Sequence, residues 1–189
     1  MYGTEDDPRL GVEPAAALAG ARRRAVRDGD RQIDTAHLLH SLIEHDPQVR
    51  AVLGSGPQLA RLLGYLVQRS IGYGLRWQNG VEDSGALPVV TAVEDAGRGS
   101  VAHMAEGCSP VAAAALEHAC VRAALRDGAS ALGVDLLAAI VVDPQARAVE
   151  VLARAGVDVP GLCVRIEEWL AGLERLDGLE GLEGLEEAR

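Results

Sequence analysis

His37, His40 and His45 fall in one short stretch, and the first two stand three apart, as neighbours on a helix would. A zinc site wants three or four convergent ligands, and no cysteine or second histidine pair is placed to complete one here. No metal is therefore expected, and His40 and His45 are read as exposed. Nucleophile chemistry is equally thin. No Gly-x-Ser-x-Gly occurs, and no serine or cysteine sits in a recognisable activated context. The carboxylate pairs Glu167-Glu168 and Glu186-Glu187 are sequence neighbours that a helix sends to different sides, so they read as solvated charges. Gly54-Ser55-Gly56-Pro57 looks like a phosphate loop only superficially and is read as a turn between helices.

Every one of the 18 basic residues is arginine. Without lysine there is no Walker-type phosphate contact, Schiff base or lysine general base. The expectation is a protein that is not an enzyme, with no catalytic residue, cofactor or nucleotide. A formal charge of −10 argues against nucleic acid or an anionic membrane as partner. Arg22, Arg23 and Arg24 form the one basic run, and on a helix they fan out too widely to clamp a phosphate. Cys108, Cys120 and Cys163 are odd in number and widely spaced, which suits neither a disulfide framework nor a zinc site. Cys120 and Cys163 fall on apolar helical faces; Cys108, just before a helix start, could be exposed. No apolar run is long enough to cross a membrane, and the acidic start, with Glu5, Asp6 and Asp7, is unlike a signal peptide. A cytoplasmic location follows as the default.

The elements that would position these residues are helices. The apolar residues are mainly Ala, Leu and Val, Phe is absent, and β-branched runs are few. An internal repeat organises them. Arg27-Asp28-Gly29 recurs as Arg126-Asp127-Gly128. Asp46-Pro47-Gln48 recurs as Asp143-Pro144-Gln145, followed in both places, after one intervening residue, by Arg-Ala-Val (Arg50 to Val52, Arg147 to Val149). Each copy reads as four helices. The first carries Leu18, Ala21 and Ala25 inward, or Leu116, Ala119, Cys120, Ala123 and Ala124, the latter opened by Ser109-Pro110 as cap and first helical residue. Gly29 and Gly128 sit where C-cap glycines are wanted. The second carries Leu38, Leu39, Leu42 and Ile43, with Thr35 as a plausible N-cap, or Leu136, Leu137, Ile140 and Val141. The Asp-Pro turns end it and begin a third, with Val49, Val52 and Leu53 or Val149, Val151 and Leu152 buried. The fourth is marked by Leu59, Leu62, Leu63, Leu66 and Val67, or by Leu162, Ile166, Trp169, Leu170 and Leu173.

The chain thus divides into an N-terminal arm (1–10), repeat 1 (11–71), a Gly-rich connection (72–108) holding one apolar patch from Leu87 to Val93, repeat 2 (109–172) and a Gly-Leu-Glu tail (173–189). Interior glycines each cost a helix about 1 kcal/mol. The tail is therefore expected to be frayed or disordered, with its leucines available to a partner.

On these residues the chain resembles the double-repeat N-terminal domain of Clp-type AAA+ unfoldases. That family's repeat opens on Ser/Thr-Pro, has a Gly-Thr-Glu-His-(Ile/Leu)-Leu element, and ends in a Val-Leu…Gly-Val-(Asp/Ser)…Leu pattern. Here Ile33-Asp34-Thr35-Ala36-His37-Leu38-Leu39 matches in copy one. Copy two offers Ser109-Pro110, Gly133-Val134-Asp135-Leu136-Leu137, and Val151-Leu152…Gly156-Val157-Asp158…Leu162. The resemblance implies an all-α fold of two pseudo-symmetric four-helix repeats. It also implies a protein- or peptide-binding module that acts as adaptor, decoy or regulator in Clp-dependent proteolysis, with Clp protease components or their substrates as partners. His37 would be the family's structural histidine. The glutamate with which some members read phosphorylated arginine falls at Ala36 and Asp135, and the second histidine at Leu136, which makes phosphoarginine a poor ligand. Thr35, Ala36, His37, Val134 and Asp135 are the implied peptide-binding residues. The helix starts there are expected to offer unpaired N–H groups to anionic or carbonyl-bearing ligands. The other reading is a scaffold that keeps the fold and uses the connection and tail for an unrelated protein.

Overall fold

The computed structural model describes residues 7–54, 56–70, 81–82, 104–126 and 130–186. These hold eight helices: α1 Val12–Asp28, α2 Thr35–His45, α3 Pro47–Leu53, α4 Gly56–Ser70, α5 Pro110–Arg126, α6 Gly133–Val141, α7 Arg147–Arg154 and α8 Val159–Glu186. Among the described residues the fold is all-helical, and its extended backbone is confined to two isolated bridges, Leu10 with Ala131 and Ile33 with Cys108. Most of the connection, including Leu87–Val93, and Gly128 lie outside the described residues.

The helices form where the local signals agree. Asp34 caps α2 by accepting from His37 N at 2.9 Å, so Thr35 is the first helical residue rather than the cap. Ser109 Oγ accepts from Ala112 N at 3.0 Å and starts α5 as the Ser-Pro pair requires. Gly29 ends α1 in the left-handed region at φ 73°, which a side chain would disfavour. Asp46 ends α2 and starts α3, taking Gln48 N at 2.7 Å and Val49 N at 3.2 Å on one oxygen.

The second Asp-Pro turn behaves differently. Asp143 accepts from Gln145 N at 2.8 Å, yet α7 begins only at Arg147. The start of α7 is fixed by capping groups from far away in sequence, described below. A larger departure is the tail. Instead of fraying after Gly172, the backbone stays helical to Glu186. The glycines are interleaved with Leu and Glu, both strong helix formers, and the segment continues a helix already nucleated on the core.

The core is one aliphatic cluster. Leu38, Leu39, Leu42, Leu116, Leu136, Leu137, Leu152 and Leu162 are fully buried, with alanines such as Ala36, Ala112 and Ala148 filling the closest approaches. Each leucine contributes roughly 1.5–3 kcal/mol by leaving water. The fourth-helix stripes are narrower than their spacing suggests: Leu62 and Leu66 are buried, while Val67 is half exposed. Ala124 is likewise exposed, at the end of α5.

Helix neighbours come in pairs. The closest contacts are α1 along α2 and α5 along α6, with α2 against α6 between them. Further, α2 touches α7 as α6 touches α3, α4 touches α7 as α8 touches α3, and α2 touches α5 as α6 touches α1. The bridges obey the same exchange. Ala131 donates to Arg9 O at 2.7 Å and accepts from Gly11 N at 2.8 Å; Ile33 donates to Gly107 O at 2.7 Å and accepts from Ser109 N at 2.8 Å.

Candidate functional site

Among the described residues, two of the regions that bring polar side chains together are the starts of α2, α5 and α7, and an open depression between α5, α6 and α8.

At the first, Thr35 opens α2, Ser109 caps α5 and Arg147 opens α7. All three turn toward Glu82, which belongs to the connection and is 4% exposed. Its carboxylate accepts from Thr35 N at 2.9 Å, Ser109 Oγ at 2.7 Å and Arg147 N at 2.8 Å, and from the Thr35 hydroxyl. Ala148 N donates to Thr35 Oγ1 at 3.0 Å. These bonds satisfy the first amides of α7 and explain why that helix starts at Arg147 rather than at the Asp-Pro turn. The Arg147 guanidinium turns away and binds buried Asp34 Oδ2 at 2.8 Å.

The expected peptide-binding residues sit around this junction and its counterpart, but inside the protein. Thr35, Ala36, Val134 and Asp135 show 0% exposure and His37 shows 2%. The helix-start amides are not unpaired. Thr35 N bonds Glu82, His37 N bonds Asp34, and Leu132 N bonds Asp135 Oδ2 at 2.9 Å. The register between the copies also differs from the motif alignment. Counted from the helix starts, Asp135 shares the third position with His37, and Val134 shares the second with Ala36. Both third residues reach back to the amide before the helix: Asp34 N to His37 Nδ1 at 3.2 Å, and Leu132 N to Asp135. Both face the end of the preceding helix with polarity reversed. His37 Nε2 lies 4.0 Å from Asp28, and Asp135 lies 2.7 Å from Arg126. Asp28 and Arg126 are the last residues of α1 and α5. The repeated Arg-Asp-Gly triplets hide this register, because they align one residue away from it.

His37 also faces Asp30 at 3.1 Å and Asp34 at 2.8 Å, and these three could converge on a cation. The donor set does not favour one. Asp34 already serves Arg147 and the α2 cap, and His37 Nδ1 already accepts from Asp34 N. His40, expected at the surface, is buried on α2 beside Arg24 and Glu44. Burial first, and then the Arg24 charge, push its pKa down to about 4, so it is a neutral packing residue. His45, exposed as expected, bonds Ser41 O through Nδ1 at 2.8 Å. Cys120 is buried and Cys108 half-buried, and desolvation raises both thiols to about 11. Neither is a thiolate nucleophile at neutral pH.

The second region is a depression of about 340 Å³ lined by Arg122, Leu125, Arg126, Asp135, Glu167, Leu170 and Ala171. Arg122 bonds Glu167 at 2.9 Å across it, and Arg126 bonds Asp135 at 2.7 Å on its wall. Leu125 stands 83% exposed on the rim. Sequence reasoning pointed to Asp135 and took Glu167 for a solvated charge, and its side chain is 64% exposed, but it passed over Arg122 and Glu82. Arg122 signals only as a member of an amphipathic helix, and Glu82 lies in a segment with no periodicity. No family model, curated protein or solved structure matches the chain. No described helix is long and apolar enough to cross a membrane.

Proposed function

We propose that this chain is a non-enzymatic peptide-binding module, built by duplication of a four-helix unit and resembling the N-terminal domain of Clp-type unfoldases. Duplication is supported by the paired helix contacts, the two equivalent backbone bridges and the recurring Asp-Pro-Gln and Arg-Ala-Val motifs. The observation that carries the binding reading is the depression between α5, α6 and α8. It joins two ion pairs to Leu170, Ala171 and the exposed Leu125, which is the mixed chemistry that a polypeptide with both apolar and charged side chains would meet. The role that follows is adaptor, decoy or regulator in Clp-dependent proteolysis, with Clp components or their substrates as partners. The Cys108 and Cys120 thiols, both raised by burial, and the neutral, enclosed His40 are consistent with a role other than catalysis.

Amide-shift mapping with a Clp substrate peptide tests this. The expected result is a set of shifts on Arg122, Leu125, Arg126 and Glu167, weakened at least tenfold in affinity by R122A together with L125S. Shifts gathered on the connection or on the Gly-Leu-Glu tail would instead assign the protein as a scaffold for another partner.

A further inference from the structure

Three helix starts converge on one carboxylate, that of Glu82. The amides of Thr35 and Arg147 are the positive ends of α2 and α7, and Ser109 is the cap of α5. The hydroxyls are already oriented. Thr35 Oγ1 accepts from Ala148 N and Ser109 Oγ accepts from Ala112 N, which leaves each O–H proton free to point at Glu82. The orienting bonds come from the helical body, so the donors keep their aim whether or not Glu82 is in place. The occupant, by contrast, comes from the connection, and its neighbour Val81 is 67% exposed.

We propose that the junction of α2, α5 and α7 is a carboxylate-binding site which the chain fills with its own Glu82, and for which an acidic side chain of a peptide partner competes. The site is preorganised in the sense that makes oxyanion holes effective: fixed dipoles aimed at one charge, in a place closed to water. It is selective for a carboxylate, since two oxygens must take four donors at once, and a neutral amide would set an N–H against some of them. It lies apart from the depression on α5 and α8, and it stands whether or not that depression binds peptide.

The test uses the full chain carrying E82A and a synthetic peptide of residues 77–87, Trp77 to Leu87, with Glu82 either kept or replaced by Gln. The Glu peptide should bind the E82A chain at least tenfold more tightly than the Gln peptide does. It should also bind that chain at least tenfold more tightly than the unaltered chain, whose site is taken. Binding should shift the amides of Thr35 and Arg147 and be indifferent to R122A, which separates this site from the peptide groove. Equal affinity for both peptides, equal affinity for both chains, or no binding to a folded E82A chain overturns the proposal. If E82A fails to fold, E82Q preserves the shape of the occupant, and the same tenfold preferences are required of it.

Discussion

At the scale of single residues, His40 ties the packing of α1 on α2 to pH. Its spacing puts it on the flank of α2, but α1 packs closely along α2, and the flank becomes interior. Its folded pKa of about 4 lies below the ordinary 6.5, so the unfolded chain binds the extra proton first as pH falls. Stability is therefore full above pH 6.5 and lost between pH 6.5 and 4. The whole shift would amount to about 3 kcal/mol, and solvent near the exposed Glu44 reduces this to about 1–2 kcal/mol. Urea unfolding at a series of pH values should show that loss, and H40Q should remove it. A pH profile unchanged in H40Q would show that the imidazole is solvated. Asp46 presents the opposite sign. Burial raises its carboxyl pKa, and one oxygen has no bonding partner among the described residues, so the charge costs stability at neutral pH and protonation relieves it. D46N keeps the cap without the charge and should match or exceed the natural stability at pH 7, whereas D46A should lose about 1–2 kcal/mol. A thermal melt distinguishes them. Arg147→Ala leaves Asp34 buried beside fewer donors and should cost about 3 kcal/mol by denaturant unfolding. A loss under about 1 kcal/mol would mean that water replaces the guanidinium.

At the scale of elements, periodicity did well where helices are regular and failed at their ends. The stripes on α1, α2, α5 and α6 gave the buried faces, because Ala and Leu at i, i+3 and i+4 leave little choice of face. The starts were harder to read. Asp34 and not Thr35 caps α2, since Thr35 is drawn into the Glu82 cluster. The start of α7 depends on bonds to Glu82 and Thr35 that no local rule contains. The tail stays helical to Glu186 against the cost of its glycines because it extends a helix that already begins at Val159. A chain truncated after Gly172 should keep its melting temperature within about 2 °C while losing far-ultraviolet helical signal. A fall of more than about 5 °C would show that the tail packs on the body.

At the scale of the whole molecule, the repeat in sequence and the pairing in space describe different things. The motifs Asp-Pro-Gln and Arg-Ala-Val say that two segments are alike. The helix contacts say how little each could do alone. The second helix of each copy lies against the third helix of the other, and the third lies against the other's fourth. The extended residues before the first and second helices bridge across copies rather than within them. Leu42 of one copy approaches Gly133 of the other, where a Cβ would also run into the Asp46 carboxylate. Leu38, Leu39, Leu136 and Leu137 consequently share one core, not two. A half of about sixty residues buries too small a fraction of its surface to offset its chain entropy even when its core is intact, and here half of that core belongs to the other copy. Fragments 1–71 and 72–189 should each give a weak helical spectrum with no cooperative melt. Mixed at equal concentration, they should regain the helical signal of the intact chain and a cooperative transition that rises with concentration, as mass action requires. Either fragment folding cooperatively by itself would show that the copies are independent units that merely touch. Failure of the mixture to fold would show that the covalent connection, with Glu82 seated at the junction of α2, α5 and α7, is needed to bring them together.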